Sequence, residues 1–479
     1  MTNCKKTKII SSVWPATRDE EKIIALYKAG VNVIRINFSH ADYENTSRIV
    51  EIVKRLNAAD TVKLALLGDL KGPEIRLGDY EGVKTYKKGD AFKIYVDKNH
   101  ACEGLDQFCD YPYLVEDVAV WQVVRIESGI FDVLVKDKTK EYLLVEALND
   151  VAIKQRRHVN LPGTTIKLPW LIDQDKENVL YCIQNEFDYI AMSFVRSAAH
   201  IKELRDMLVA NNAQHMGIIS KVENQEWLDH IEEIVEASDG VMVARGDLGI
   251  EIDVALIPVW QRKIVKLCKK RGKFVIVATQ LIESMMESPF PTRAEVSDVF
   301  NAVVQKTDAV MTSGETALGK YPIQAIEMMK RIILQAEDVI DYKHEEFENG
   351  DFTQRDIEKK YLIRSAIEIA ERNGIHSIVL FTRTGKLARM AAAYRPKLRI
   401  FAFTNNKHTY TNTTILFWVS SRYVPFEHHG EMLEPALKAM LDHGDVTIDD
   451  RVVVVTDMRK GDKEIPLLEI VTLRDLLSN

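Results

Sequence analysis

The chain has 479 residues, a formal net charge of −7, and 46% hydrophobic and 28% charged residues. That length is too great for one ordinary domain, so two or three are expected. The composition is that of a soluble globular protein, the negative charge argues against a nucleic-acid binder, and no apolar run reaches transmembrane length.

The basic start Met1–Lys8 is not followed by the apolar core of a signal peptide. Five cysteines (Cys4, Cys102, Cys109, Cys182, Cys268) form no close pair. Both observations fit a cytoplasmic protein with reduced thiols. His428-His429, beside Pro425 and Gly430, read as a solvated loop rather than a metal site.

Lys8–Val13 reads as a short strand. Pro15 breaks it, and Thr17-Arg18-Asp19-Glu20 reads as a capping box opening a helix that Gly30 ends. Asn32–Phe38 alternates as a strand, and a helix follows to about Leu56. Lys63–Leu67 is a third strand, running into Gly68-Asp69-Leu70-Lys71-Gly72-Pro73-Glu74-Ile75-Arg76. The rhythm then changes. From about Gly78 to Asn160 short alternating runs are separated by Gly89-Asp90, Ser128-Gly129 and Asn149-Asp150, which reads as a small all-β insertion.

The β-then-α rhythm resumes with a helix over Asp173–Asn185 and strands starting at Tyr189, Gly217, Gly240, Phe274 and Ala309. Gln225–Ala237 has helical spacing, Ile257–Lys270 is a helix stopped at Gly272, and Thr292 to Glu295 is a second capping box. A long helix covers Pro322–Ile340. Glu345–Arg355 is polar and reads as a linker. The last third, with a helix over Lys359–Asn373 and strands at Ser377–Thr382, Leu398–Thr404 and Val452–Val455, is a separate α/β domain. The expected fold is therefore an eight-stranded α/β TIM barrel, interrupted after its third strand by a β lid and followed by an α/β domain. The limits are 1–76 and 160–344 for the barrel, 77–159 for the lid and 345–479 for the C-terminal regulatory or oligomerisation domain.

Charges gather where the strands end. Lys221 and Glu223 follow one strand; Arg245 and Asp247 follow the next. Parallel strands are buried on both faces, so charges belong at their ends, and that edge is where such barrels bind ligands. Two acids with a lysine fit a divalent metal and an anionic substrate, although a solvated pair of loop charges reads the same way. Asn37, Ser39 and Asp69 gather hard oxygen donors on neighbouring strand ends. Arg35 and Arg76 flank them, and an arginine in a buried strand is uncommon unless paired or holding an anion. Gly314-Glu315-Thr316-Ala317-Leu318-Gly319-Lys320 is close to a phosphate loop, but Tyr321 replaces the metal-holding hydroxyl residue. It reads instead as a turn with Glu315 at the barrel mouth.

These stretches together resemble the pyruvate kinase family. The matching segments are Val33–His40, Lys71–Arg76, Leu161–Pro169, Ile218–Asn224, Met242–Glu251, Ala278–Gln280, Pro291–Asp298 and Met311–Tyr321. The resemblance implies transfer of a phosphoryl group from phosphoenolpyruvate to ADP, giving pyruvate and ATP. It implies that Lys221 stabilises the phosphoryl group in flight, that Arg35 contacts it, and that Thr279 lies near the carbon that is protonated. It implies a divalent ion, Mg2+ or Mn2+, on Glu223 and Asp247. It implies K+ on Asn37, Ser39, Asp69 and the Leu70 carbonyl, with Glu74 marking that requirement. The backbone N–H groups of Gly246 and Asp247 would receive the substrate carboxylate, with Ser313 beside them, and Asn37, His40 and Arg76 would meet the nucleotide. A homotetramer is implied as well. An effector phosphate would sit on Thr382, Thr384 and Gly385, whereas Thr456–Glu464 lacks the glycine-rich loop that serves a sugar bisphosphate. Trp14, Leu70, Thr312 and Glu127-Ser128 depart from the family's pattern. The acids and lysine alone also suit an aldolase or lyase acting on an enolate, or a binding protein that has lost catalysis.

Overall fold

The computed structural model describes residues 5–98, 100, 102–342, 345–350, 352–425, 432–460 and 463–477. His428-His429, Cys4 and Gly461-Asp462 lie outside the described residues.

Eight parallel strands close into a barrel: β1 (Lys8–Ser12), β2 (Val33–Asn37), β3 (Ala65–Asp69), β4 (Tyr189–Met192), β5 (Gly217–Val222), β6 (Gly240–Ala244), β7 (Phe274–Ala278) and β8 (Ala309–Thr312). The ring closes where Lys8 pairs with Ala309 and Ser11 with Thr312. Side chains alternate as the period of two requires. Ile9, Ile34, Leu66 and Ile218 pack outward against the helices. Ile10, Val33, Leu67, Ile219, Met242 and Ile276 fill the lumen. Tyr189 and Phe274 close its lower end edge to face, 5.6 Å apart. Gly240 makes room for this: a Cβ there would lie 2.2 Å from the Phe274 ring.

The insertion sits between β3 and β4. Its main sheet has six strands, from Val159–Asn160 on one edge to Gln107–Phe108 on the other, and Val83–Tyr86 pairs separately with Val151–Lys154. It has its own core around Tyr86, Phe92, Phe131 and Val145. Two isolated bridges, Arg76 to His158 and Leu77 to Cys109, form its neck.

The C-terminal sheet runs Val419–Tyr423, Arg399–Thr404, Ser377–Phe381, Arg451–Lys460, Lys463–Thr472. Its last pair is antiparallel, with Arg459 opposite Glu464. The lumen core runs on into this domain through Phe347, Ile363, Ile367 and Tyr394, so the domain closes the bottom of the barrel. A buried ion pair joins the two, Arg395 to Asp308 at 2.6 Å, with both side chains 2% exposed.

Four local expectations are corrected. Thr17 is not a capping residue: it is buried and its hydroxyl donates to the Thr316 carbonyl at 2.9 Å. The helix there starts at Glu20. Gln225–Ala237 is two helices, broken at His230. The helix expected from Lys359 begins at Gln354, because Thr353 and Asp356 form a reciprocal capping box inside the supposed linker. The strand Lys463–Thr472 was not foreseen, since Pro466 disguises it; proline is tolerated on a sheet edge, and this is the edge strand.

Candidate active site

The C-terminal ends of β2, β3, β4 and β5 bring four charged side chains into one chain of contacts. Arg35, from β2, donates through Nε to Asp69 Oδ2 at 2.7 Å and through Nη1 to Ser12 Oγ at 2.7 Å. Lys221, from β5, reaches Asp69 Oδ1 at 3.2 Å and Glu223 Oε1 at 2.7 Å. Its Nζ also donates to Ser193 Oγ at 2.8 Å, and Ser193 in turn donates to the Leu70 carbonyl at 2.7 Å. The Phe194 N–H donates to Glu223 Oε2 at 2.7 Å. All four charged side chains are buried.

Burial opposes the charge of Lys221, but Asp69, Glu223 and Asp247 outweigh it and hold the ammonium above its ordinary value. Burial likewise pushes Asp69 up, yet Lys221 and Arg35 win and hold that carboxyl below its usual range. Glu223 goes the other way. Burial pushes it up, and the nearby Asp247 carboxylate adds to this against the pull of Lys221.

Among the described residues no group of three or more His, Cys, Asp or Glu forms a ready-made metal cage. Glu223 and Asp247 are two hard carboxylates, and Asp247 is close enough to disfavour the charge of Glu223. That donor set fits a divalent ion that takes its remaining ligands from substrate and water. Asp69 Oδ1 is buried and meets the Lys221 ammonium at 3.2 Å, the Leu70 carbonyl lies against Ser193, and Asn37 Oδ1 accepts the Ser39 N–H at 3.2 Å. These oxygens suit a hard monovalent cation.

Thr279 ends β7 in a strained conformation. Its φ is +65° and that of Gln280 is +52°, a region that a β-branched residue rarely enters. Such strain persists only where the surroundings hold it, and it gathers at functional sites. Here Arg245 holds it. The guanidinium donates to the Ala278 carbonyl at 3.2 Å and to the Thr279 carbonyl, and it is anchored on Asp298 at 2.7 Å. Thr279 Oγ1 accepts the Gly246 N–H at 2.9 Å. One of the two N–H groups expected to receive a carboxylate is therefore already engaged by the threonine.

The other expected residues are more dispersed. Asp247 lies in the first turn of the helix Arg245–Glu251. His40 is exposed. Arg76 is held in the neck by Glu74 at 2.7 Å and the Arg156 carbonyl at 2.9 Å, and Glu74 also meets Lys71 at 3.4 Å. The Ser313 N–H donates to Glu315 at 2.7 Å. Glu315, in the short helix Gly314–Ala317, is 2% exposed, so its carboxylate is buried against the Ser313 N–H. The phosphate-loop likeness also dissolves: a Cβ on Gly319 would lie 2.4 Å from the Glu315 carbonyl, so that glycine serves a tight turn. Between the neck and β5 lies a cavity of about 140 Å3, lined among others by Glu74, His158, Arg196 and Glu251. In the C-terminal domain, Thr382 Oγ1 accepts the Gly385 N–H at 3.1 Å, Gly385 has φ +76°, and Thr384 is exposed.

Ser193 and the Phe194 N–H were not singled out from the sequence, and Arg245 was read as a strand-end charge without a role of its own. Arg245 carries the signal that marked Arg35, an arginine at the end of a buried strand. Ser193 carries no such signal, because its partners come from β3 and β5.

The model of the pyruvate kinase barrel domain matches residues 4–326, and that of the pyruvate kinase alpha/beta domain matches residues 360–471. The chain belongs to the pyruvate kinase family. It is 36% identical to the pyruvate kinase of Geobacillus stearothermophilus, over 99% of this chain and 81% of that protein. It is 35% identical to that of Borreliella burgdorferi, over 99% and 98%. A crystal structure of a pyruvate kinase from Cryptosporidium parvum superposes with a TM-score of 0.90 at 32% identity, covering 98% of this chain and 96% of that one. The family's enzymes move a phosphoryl group from phosphoenolpyruvate to ADP, with the help of a divalent metal.

Proposed function

We propose that the cluster on β2, β3 and β5 carries out this phosphoryl transfer, with Lys221 and Arg35 as the cations that meet the moving group. The carrying observation is the buried run Arg35–Asp69–Lys221–Glu223, which fixes two cations side by side at the C-terminal mouth. Phosphoryl transfer asks mainly for positioning and charge neutralisation. Asp69 orients both cations, and Ser193 sets the third contact of Lys221. Glu223 and Asp247 would hold Mg2+ or Mn2+, which supplies Lewis-acid stabilisation of the phosphate and carboxylate when bound. Asn37, Ser39, Asp69 and the Leu70 carbonyl would hold K+. Thr279, pinned by Arg245, would stand beside the enolate carbon, where its hydroxyl can orient the proton donor. Gly246, Asp247 and Ser313 would place the substrate, and Asn37, His40 and Arg76 the nucleotide.

We read the domain limits as 1–76, 77–159, 160–344 and 345–479, a division supported by the neck at Arg76 and His158. We read the chain as a cytoplasmic homotetramer that binds neither nucleic acid nor membrane. The exposed apolar side chains Val254, Phe290 and Leu318 support self-association, and no helix among the described residues is long and apolar enough to cross a membrane. An effector phosphate on Thr382, Thr384 and Gly385 is kept as a reading, a monophosphate being favoured over a sugar bisphosphate.

The test is pyruvate formation from phosphoenolpyruvate and ADP on folded protein, with Mg2+, in potassium and in tetramethylammonium buffer. Activity that needs both the nucleotide and K+ is expected, and the Glu74→Lys variant should lose the K+ requirement. Turnover that ignores ADP would favour an aldolase or lyase instead.

A further inference from the structure

Two histidines meet where the C-terminal domain rests on the barrel. His215 stands just before β5, and His408 lies in the short helix Lys407–Asn412 of the C-terminal domain. Their rings stack, with centroids 3.9 Å apart and planes inclined by 29°. The Nε2 of His215 is buried and has no hydrogen-bond partner among the described residues. The same short helix is seated on the barrel by two further contacts. The Thr411 hydroxyl donates to Asp188, which precedes β4, and the Tyr189 hydroxyl donates to the Asn412 carbonyl. Within its own domain the helix is tied down where Thr409 donates to the Arg383 carbonyl at 2.7 Å.

Neighbouring elements bring their own charges to this contact. Glu186 is close enough to feel both rings, but its carboxylate is claimed by Lys54 at 2.7 Å. Asp188 lies beside it, and burial pushes that carboxyl up to about 7, so in acid it brings no negative charge. On the helix itself Lys407 is exposed, and in its own loop His215 is flanked by Gln214 and Met216, neither of which titrates. Burial, then the His408 ring, hold the His215 imidazole below its ordinary value, and the opposing pull of Glu186 is weaker. Histidine is the side chain that takes up charge near neutral pH. Charging both rings sets like charges against each other at stacking distance. Charging His215 also places a buried N–H where no acceptor stands.

We propose that the His215–His408 stack is a pH-sensitive latch that seats the C-terminal domain on the barrel while both rings are neutral and loosens it when acid charges them. It needs no bound ligand and does not rest on the catalytic reading. The sign follows from His215, which takes its proton less readily when seated than when free. Seating is therefore strongest above about pH 6.5 and weakens as pH falls below that value. Asp188 works the other way, because the folded state holds its proton, so a loss of seating in acid does not come from it.

The experiment is hydrogen–deuterium exchange of the full chain at pH 5.5 and 7.5, read by mass spectrometry and corrected for the intrinsic exchange rate. Protection across residues 405–416 should fall about tenfold at the lower pH. The lid strand Phe131–Lys138 should keep its protection. His215→Phe and His408→Phe each keep a ring in the stack that takes no proton, and each should reduce the acid loss to less than about twofold. The two changes lie in different domains, so the test survives if one variant fails to fold. Asp188→Asn should retain the loss, and pyruvate formation at pH 7.5 should be unchanged in both phenylalanine variants. Equal protection of residues 405–416 at the two pH values overturns the proposal. So does an acid loss that the phenylalanine variants retain, or one that Asp188→Asn removes, or one that the lid strand shares in full.

Discussion

At the C-terminal mouth of the barrel Arg35 and Lys221 each lie against buried carboxylates, whereas at the N-terminal mouth seven lysines and arginines line one cavity that holds no acid. The two ends therefore treat an arriving anion differently. At the top it must compete with Asp69 and Glu223 for the two cations, which disfavours stray anions. Selectivity is a difference of affinities, and an internal competitor is one way to build it. At the bottom no acid lines the space itself, and the carboxylates that answer its cations stand around it, as Asp445 does for Arg399 at 2.8 Å and for Arg422.

The comparison breaks most visibly if a fully buried, matched pair at the bottom is removed. Arg395 and Asp308 are both 2% exposed and 2.6 Å apart. Asp308 also accepts the Val275 N–H at 3.0 Å, and Arg395 stacks 4.8 Å from the Phe417 ring. Arg395→Met leaves a buried carboxylate without its cation, which costs about 3–5 kcal/mol. Urea unfolding should show this as a lower midpoint. A loss under 1 kcal/mol would mean that the domain contact is sealed by Phe417 and Tyr394 instead.

At the top the matched run should matter for rate and not for folding. Lys221→Met removes a preorganised cation from the place where charge develops, and kcat should fall about 10²–10³-fold. KM for phosphoenolpyruvate should move much less. A fall smaller than tenfold would transfer the role to Arg35 and leave Lys221 as a structural partner of Asp69 and Glu223.

How much of this was legible beforehand depends on whether a residue's reason lies in its own segment. The eight barrel strands were readable because each is a short apolar run ending in charge; Phe274–Ala278 and Ala309–Thr312 fall where the pattern put them. Lys221, Glu223 and Arg35 announced themselves as charges at buried strand ends. Thr17 misled because its sequence fits a cap while its hydroxyl is claimed by Thr316, about three hundred residues away. Ser193 was silent for the same reason, since Leu70 and Lys221 give it meaning. The basic cavity was not legible at all. Its lysines and arginines come from six separate segments, and only the closed barrel seated on the C-terminal domain brings them together.

The smallest predicted effect sharpens the comparison from the acidic side. The bottom of the barrel also buries Asp188, which accepts the Leu66 N–H at 2.8 Å and the Thr411 hydroxyl. Burial pushes its carboxyl up to about 7, against the weaker effect of those two donors. The unfolded chain releases this proton near about pH 4. Between those values the folded state holds a proton that the unfolded state has lost. Its contribution to stability is full at the acid end and declines as pH rises toward 7, with a slope of at most about 1.4 kcal/mol per pH unit. Asp188→Asn keeps an acceptor for Leu66 and cannot ionise, so it should lack this slope. Measured by urea unfolding from pH 5 to 7.5, the variant should gain on the parent steadily as pH rises. Parallel curves would show that Asp188 is ionised throughout, and that the bottom of the barrel already places a cation against it.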